Sequence, residues 1–339
     1  MFAQLYTHFA HKLIYTNYIT MKKFFYLLLP LTVFTAFISS CSSDDTFYDP
    51  YITQEKNPFY PQEIVINKES KSRKVSEKWT FEYGTDKKIT AYTHETTTKH
   101  EYKEKENSYT ETTIETEKGE LSYYSDEEIQ TKITVEKEIF GLDYEKFQKE
   151  EITEIAKCAN NHITEIKRYI DSSDKNGKVT GSTITKRTFS YSGDYCTQSI
   201  FTDNENAAEA NTTTYTYNWN GAFELANVDI DEKGGSSRTR KTYKYSYGNI
   251  GANHIFQTNA FLYNHLPQIY AAMGYFGKDC PYTIYREEQD FSLFIDGKWE
   301  KDNSSDSKLF NLLNPDNDEF KYDISSDIYS AVYNIKFIK

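Results

Sequence analysis

Side chains that could do chemistry are abundant in this 339-residue chain, but they follow no catalytic spacing. It contains no G-x-S-x-G nucleophile turn, no H-E-x-x-H pair, no P-loop and no G-x-G-x-x-G turn. Its 7 histidines are scattered, and neither His94/His100 nor His254/His265 has a flanking ligand pattern. Among 51 Asp and Glu residues no acid/base pair stands out, because such a pair is defined by its separation in space. We therefore assign no catalytic residue, no metal site and no cofactor.

Two segments carry a weak pattern of calcium ligands. Ser172 to Thr183 places Asp174 and Asn176 at the third and fifth positions of a calcium loop, but its last residue is Thr where a bidentate Glu is required. Asp316 to Glu319 is a run of acidic and amide side chains. A hairpin turn and a solvated turn are the simpler interpretations, so neither segment is assigned as a metal site.

Cys41 is the cysteine with the most specific context. Met21-Lys22-Lys23 is basic, and the largely apolar run Phe24 to Ile38 is shorter than the roughly 20 residues that a membrane-spanning helix needs. The run therefore predicts a signal peptide. Ile38-Ser39-Ser40-Cys41 at its end resembles a bacterial lipobox, which predicts lipidation of Cys41. Met21 is the expected true start of the chain.

Three cysteines remain after Cys41. An odd number in an exported protein allows at most one disulfide, and the spacing of Cys158, Cys196 and Cys280 matches no zinc motif. Cys158 and Cys196 are the pair to test as a disulfide. Three buried free thiols are the alternative.

Two tryptophans next to turns are the candidates for ligand stacking. Trp219 precedes Asn220-Gly221, and Trp299 follows Asp296-Gly297, so either ring could stand out from a sheet and pack on the C–H face of a sugar. The alternative is that both rings belong to the core, where alternating Tyr and Trp usually lie.

The composition indicates an aromatic all-β protein. Aromatic residues make up 16% of the chain, with 30 Tyr and 22 Phe, and these types suit a pleated, half-buried surface. The formal net charge of −12 argues against a nucleic-acid partner, which would need a basic surface.

The hairpin Asn211 to Ile230 is the clearest structural unit. Tyr215, Tyr217 and Trp219 alternate with polar residues, and Asn220-Gly221 favours a type I′ turn. The alternation changes parity at Ala226, which predicts a β-bulge there. Further hairpins of this kind predict one large, strongly curved antiparallel meander sheet, open as a half-barrel or barrel-like, with one or two short helices.

Three segments are less regular. Thr93 to Glu120 is almost entirely Thr, Glu, Lys and Tyr, and predicts long strands with one solvated face, with a disordered charged segment as the alternative. Asp143 to Cys158 has near-helical spacing and predicts a short helix. Asn259 to Gly277 predicts a helical plug that begins near Pro267 and ends at Gly274 or Gly277.

These patterns divide the chain into three parts. Residues 1–40 are an N-terminal extension and signal peptide, residues 41–75 are the lipidated cysteine and a tether, and residues 76–339 are the β domain. Pro50, Pro58 and Pro61 in the segment Thr46 to Glu63 favour an extended tether, with an extended lead-in strand as the alternative.

A resemblance supports this division. The lipobox, the Tyr-x-Tyr hairpins with Asn-Gly turns, and a late segment from Asn259 to Pro281 that contains Gly-Tyr-Phe-Gly-Lys-Asp-Cys-Pro are similar to those of a family of Bacteroidota lipoproteins of unknown function. The resemblance implies a porin-like or half-barrel sheet and supplies no catalytic residues. Ser42-Ser43-Asp44-Asp45 also resembles the export signal of surface-displayed lipoproteins, which implies display on the cell exterior, with the periplasmic face as the alternative.

Three functions remain open. We expect a non-enzymatic binding or interaction module, anchored to the outer membrane through Cys41, with a glycan or another surface protein as partner. An accessory carbohydrate-binding lipoprotein of a nutrient-uptake system is the alternative. A hydrolase is the third, and it would require two carboxylates to converge on the concave face of the sheet.

Overall fold

The structure, a computed structural model, describes residues 60–104, 107–142, 144–207, 210–220, 224–234, 237–248, 266–276, 283–316, 319–325 and 330–338. The predicted signal peptide, Cys41, Cys280 and Gly221 lie outside these residues. The described strands are β1 Tyr60–Glu69, β2 Arg73–Tyr83, β3 Ile89–Glu104, β4 Asn107–Ser125, β5 Glu128–Phe140, β6 Glu145–Ala159, β7 His162–Ser173, β8 Val179–Ser192, β9 Tyr195–Thr202, β10 Thr212–Trp219, β11 Leu225–Gly234, β12 Ser237–Gly248, β13 Thr283–Ile295, β14 Lys298–Asp316, β15 Glu319–Ser325 and β16 Ser330–Ile338.

These strands form a closed antiparallel barrel. Each strand pairs with the next along the chain, and β16 pairs with β1 from Tyr60↔Ile338 to Glu69↔Ser330. The predicted fold class, a large antiparallel meander built from hairpins, is confirmed, and the sheet is closed rather than open. Closure pairs both sides of every described strand, so no edge is left to aggregate.

The hairpin of β10 and β11 follows the sequence pattern. Tyr215 pairs with Ile230 and Tyr217 with Val228, and the register then shifts so that Trp219 faces Leu225. The shift leaves Ala226 as the extra residue, so the predicted β-bulge is confirmed.

The charged segment from Thr93 to Glu120 forms parts of β3 and β4. These strands pair continuously from Ala91↔Glu120 to Glu104↔Asn107, which confirms the prediction of long strands. Tyr102 and Tyr109 pair near the end of this hairpin, and their ring centroids are 4.9 Å apart.

The predicted short helix at Asp143 to Cys158 is wrong. This segment is the strand β6, which pairs with β5 from Glu128↔Lys157 to Phe140↔Glu145 and with β7 on its other side. The spacing of its apolar residues looks helical because they lie on both faces of the strand, as Ile152 and Ile155 do. Strand pairing on both sides of β6 outweighs this local pattern.

The helix α1 (Gln268–Ala272) lies in the predicted plug segment. It begins after Pro267, and Gly274 adopts a φ of 77° just beyond its end, as the sequence predicts. Residues 249–265 and 277–282 of the loop lie outside the described part. No helix among the described residues is long and apolar enough to cross a membrane.

The barrel includes β1, which lies before the predicted domain boundary at residue 76. β1 occupies part of the segment that the sequence assigned to the tether, and Ile64 and Ile66 of this strand are fully buried. Burial of these two side chains explains why the strand belongs to the domain.

The two ends of the barrel differ. At the helix end, turns such as Gly84–Lys88 join the strands. The segment just after α1 contacts the inner wall there: the Ile163 amide donates to Tyr275 O at 2.9 Å, and the rings of Phe189 and Phe276 are 4.8 Å apart. At the opposite end, which we call the mouth, lie the β1–β2 turn and the Asp296-Gly297 turn of β13 and β14.

Candidate binding site in the barrel lumen

The inner face of the barrel carries one continuous core. Alternate residues of every strand, such as Ile64 of β1, Leu121 of β4 and Phe310 of β14, are buried in a single hydrophobic cluster that also contains Tyr270 and Phe276 from the plug. Because successive side chains of a strand point to opposite faces, this row defines the lumen side.

The other row, on the outer face, is mostly polar, with exposed apolar residues such as Ile200 and Val332, and it forms ion pairs both within a strand and across neighbouring strands. Glu63 accepts from Lys336 at 2.8 Å and Lys78 at 3.1 Å, Lys149 pairs with Glu151 at 2.8 Å, and Lys186 pairs with Glu165 at 3.0 Å. The ordinary position of such residues is a surface in contact with water.

Glu154 is a carboxylate on the inner face, in the middle of the wall. It lies between Ile152 and Ala156 in the inward row of β6 and is only 2% exposed. The Nε of Arg168, opposite it on β7, donates to Glu154, and the hydroxyl of Tyr270 donates to the other carboxylate oxygen at 2.5 Å. Tyr270 also bonds Thr131 at 3.0 Å. The plug is therefore fixed to the wall through a buried polar network.

Two donors of this network, Arg168 and Tyr270, have raised pKa values. The charge of Glu154 raises the pKa of Arg168, so the guanidinium stays protonated. Burial, followed by the negative charge of Glu154, raises the pKa of Tyr270 well above its usual value. The phenol is thus a permanent donor at ordinary pH.

A second charged group lies on β1 to β3. Lys68 Nζ is 2.7 Å from Glu77 Oε1, and His94 Nε2 is 3.8 Å from Glu77 Oε2. Burial acts to raise the pKa of Glu77, but the nearby His94 ring and the charge of Lys68 outweigh it and hold that pKa at about 2. The His94 ring is stacked on Trp79, with centroids 3.8 Å apart.

Tyr92 and Glu117 connect the two groups. The hydroxyl of Tyr92 donates to Glu117 on the neighbouring strand. The Tyr92 ring covers Gly119, where an added Cβ would overlap it. Glycine at this position therefore allows the ring to lie flat against the wall.

These residues line a cavity of about 390 Å³ next to α1. The wall contributes Lys68, Glu77, Trp79, Tyr92, His94, Glu117, Thr131, Glu154 and Arg168, and the plug contributes Leu266, Pro267, Gln268, Ile269 and Tyr270. The volume lies in the range of small-molecule sites, which is roughly 300 to 1,000 Å³. We call this cavity the lumen site.

Trp219, one of the two predicted stacking residues, packs against the core. Its indole N–H donates to Cys196 O at 2.8 Å, and its ring lies 5.0 Å from that of Tyr195. Its alternation with Tyr215 and Tyr217 places it in the inward row. Ligand stacking on Trp219 stays a prediction.

Trp299, the other predicted stacking residue, lies near the mouth on the outer face. The guanidinium carbons of Arg240 and Arg238 are 4.2 Å and 5.2 Å from its ring centroid. Asp231 binds both arginines, so a ligand that stacks on the covered face must displace a paired cation. Stacking on Trp299 also stays a prediction.

The predicted Cys158–Cys196 disulfide is not formed in the structure, where both residues are buried free thiols. They lie on β6 and β9, which are separated by β7 and β8, so their backbones are about 14 Å apart along the sheet. A disulfide requires Cα atoms within about 7 Å. Burial raises the pKa of Cys196 to about 12, which makes this thiol unreactive.

The segment with a weak calcium pattern forms a turn. Asp174 Oδ1 accepts from the amides of Asn176 at 2.9 Å and Lys178 at 3.0 Å, and Gly177 adopts a φ of 76°. This carboxylate oxygen closes the hairpin of β7 and β8, as the simpler interpretation predicts. Residues 317–318 of the other acidic segment lie outside the described part.

Comparison with known proteins supports the fold. No protein-family profile matches the chain, and no curated protein matches it in sequence. A porin-like protein from Bacteroides vulgatus ATCC 8482 superposes with a TM-score of 0.51 and 11% identity over 83% of this chain and 99% of that chain. A porin-like protein from Bacteroides uniformis ATCC 8492 gives a TM-score of 0.45 and 14% identity over 82% of this chain and 96% of that chain. The likeness shows the fold alone.

The residues of the lumen site were not singled out from the sequence. The signal that could have found them is a charged residue in the inward row of a strand: Glu154 between Ile152 and Ala156, and Arg168 between Ile166 and Ile170. Recognising that signal requires knowledge of the strand register. The helix that the sequence predicted at β6 concealed the alternation of inward and outward residues.

Proposed function

We propose that this chain is an outer-membrane lipoprotein of the Bacteroidota family that it resembles. A lipid on Cys41 anchors it, its barrel stands in water on the cell exterior, and the barrel acts as a non-enzymatic binding module that receives its ligand through the mouth. The observation that carries the proposal is the sidedness of the barrel.

The outer face of the barrel differs from that expected for a barrel embedded in a bilayer. Such a barrel has an outward apolar band about 25 Å tall and a polar interior. Here the buried cluster faces inward, and ion pairs such as Lys149–Glu151 and Lys186–Glu165 face outward. Lipid contact would remove these charges from water at a cost of several kcal/mol each. A lipid on Cys41 would supply the membrane attachment instead.

The lumen site supports a binding role. Its side chains are held by their own partners, as Arg168 is by Glu154 and Tyr92 is by Glu117, so the cavity is shaped before any ligand arrives. Preorganised polar groups in a cavity of this size are typical of binding sites.

The anchor is tested by membrane flotation in a bacterial host that lipidates lipoproteins. The full chain should float with membranes and incorporate a labelled fatty acid, and Cys41→Ser should lose the label. Ser43→Ala is the matched control, because it changes a residue after the cysteine and should keep the label.

The sidedness is tested by replacing residues 1–41 with a cleavable secretory signal. We expect the released barrel to stay in the soluble fraction and to fail to float with added lipid vesicles. A released barrel that co-floats with vesicles and resists alkaline washing would overturn the proposal.

Accessory carbohydrate binding is the second candidate function. The lumen site favours it, because donors and acceptors of both charges surround one small cavity beside the stacked rings of Trp79 and His94. A glycan-array screen of the full chain tests it directly, with Trp219→Ala and Trp299→Ala as the variants that address the two originally predicted rings.

A further inference from the structure

Arg168 presents a fixed guanidinium group to the lumen. Glu154 binds its Nε from the wall, yet the Arg168 side chain remains 39% exposed. An arginine carries five N–H donors. Within the described part of the chain, its terminal nitrogens donate no hydrogen bond, so four donors are available to a ligand in the cavity.

Acceptors with spare capacity line the same cavity. Glu117 takes the Tyr92 hydroxyl, and Glu77 takes Lys68 and lies near His94. A carboxylate offers about four lone-pair positions, so each retains positions for further donors. Neighbouring hydroxyl groups of one ligand could occupy both oxygens of such a carboxylate.

The pairing of charges within the site selects a neutral ligand. Lys68 is paired with Glu77 and Arg168 with Glu154, and Glu117 accepts a phenol proton. An ionic ligand would have to compete with a partner already in place or face a like charge. Hydroxyl groups both donate and accept, so they can fill the remaining positions while every ion pair stays intact.

The plug segment supplies an apolar wall opposite the polar groups of the barrel. Leu266, Pro267 and Ile269 line the cavity on the side of α1, and Ile269 and Tyr270 are buried against the barrel. An apolar wall opposite polar groups matches a ring that has a C–H face and hydroxyl edges. At about 390 Å³ the cavity lies near the small end of the range for ligand sites.

We infer that the lumen site binds a small neutral sugar, with Arg168 as the principal donor to its hydroxyls and Glu117 and Glu77 as acceptors. The inference rests on the proposed binding function and moves the sugar site from the rings of Trp219 and Trp299 to the interior. The geometry makes Arg168 the residue that fixes orientation.

Trp79 provides an intrinsic reporter for the test. The chain has 3 Trp, and of these Trp79 lines the lumen site. In the full chain carrying Trp219→Phe and Trp299→Phe, fluorescence reports on this cavity alone. The chain is purified in a detergent without a sugar headgroup and titrated with glucose, galactose, mannose, N-acetylglucosamine and their common disaccharides, and the unsubstituted chain is titrated in parallel by calorimetry.

We expect at least one sugar to give a saturable change in Trp79 emission and a matching heat. Arg168→Gln should weaken its binding at least tenfold. Arg168→Lys keeps a cation for Glu154 but removes the planar fork, so it should fold and still lose at least fivefold. Arg240→Gln on the outer face is the matched control and should bind unchanged.

Two outcomes would overturn the inference. One is a folded chain, verified by circular dichroism, that gives no heat and no emission change with any sugar. The other is sugar binding that survives Arg168→Lys and disappears in Trp299→Ala, which would place the site outside the barrel. Neither affects the flotation result, so failure of the sugar inference is distinguishable from failure of the proposed function.

Discussion

Glu154 shows at the scale of one residue how the barrel tolerates a charge in its wall. An ionised carboxylate out of water is unfavourable unless it is paired and hydrogen-bonded, and here Arg168 and Tyr270 satisfy both oxygens. The ion pair therefore accounts for the rigidity of the wall and for the proposed ligand contact rather than for net stability, since a well-packed apolar pair could be equally stable.

Removing the charge of Glu154 should be costly because it leaves Arg168 without its partner. We expect Glu154→Gln to lower the free energy of unfolding by about 3 kcal/mol, at the low end for a buried pair since the Arg168 side chain is partly exposed. Denaturant unfolding measures the change. Tyr270→Phe is the matched control and should cost less, about 2 kcal/mol, since it removes the two hydrogen bonds to Glu154 and Thr131 but leaves the ion pair. Equal losses would show that docking of α1 matters more than the ion pair.

Glu77 should make stability depend on pH in the acid range. Its pKa in the folded chain is about 2, below the ordinary value of 4.5, so the unfolded chain binds the proton more readily. This contribution to stability is complete above about pH 4.5 and is lost as the pH falls towards 2. Unfolding curves at a series of pH values should show that loss.

The substitution Glu77→Gln should flatten this acid dependence. Glu151→Gln is the control, because Glu151 also pairs with a lysine but lies exposed on the outer face. A Glu77→Gln chain that loses stability between pH 4.5 and 2 as steeply as the unsubstituted chain would contradict the assignment.

At the scale of elements, β4 depends on a glycine that faces inward. Gly119 pairs with Tyr92 across β3 and β4, and the Tyr92 ring occupies the space of a side chain. This packing positions the Tyr92 hydroxyl on Glu117 and so helps to shape the lumen site.

Gly119→Ala should therefore destabilise the chain by about 1 to 3 kcal/mol, the usual cost of overpacking. The measurement is thermal unfolding followed by circular dichroism. Gly181→Ala is the matched control: it lies on β8 with nothing within 4 Å of an added Cβ and should be neutral or slightly stabilising. Equal shifts in both variants would refute the role of the Tyr92 ring.

The strands differ in how much of them the sequence reveals. Tyr215, Tyr217 and Trp219 alternate cleanly, so β10 and the bulge at Ala226 could be predicted from local pattern. β6 could not, because Glu154 occupies an inward position and Ile155 an outward one, which imitates a helical period. The lumen site required pairing across strands, such as Glu154↔Arg168, and that information is not local.

At the scale of the whole molecule, closure and sidedness together define the protein. Closure joins β1 to β16, and the charged outer face surrounds an apolar core that becomes polar at the lumen site. The result is a closed wall with a plug at one end.

Hydrogen exchange offers a direct test of closure. In a closed barrel the amides of β1 and β16 should exchange as slowly as those of β5 and β6, because each strand has a partner on both sides. In an open half-barrel, the outer amides of β1 and β16 would exchange fast. Val65→Pro removes one donor from β1 and should raise exchange in both strands, whereas Val332→Thr, which keeps the ladder intact, should not.

Pairing of the first strand with the last also bears on how the chain folds as it is made. Tyr60 must meet Ile338 before the ring is complete, so a chain that emerges with its N-terminus first holds β1 with one side unpaired until β16 has followed. Contacts this distant in sequence form slowly. Until the final strand arrives, the unfinished ring exposes the free side of β1 as an open sheet edge, the kind of edge that pairs with other chains.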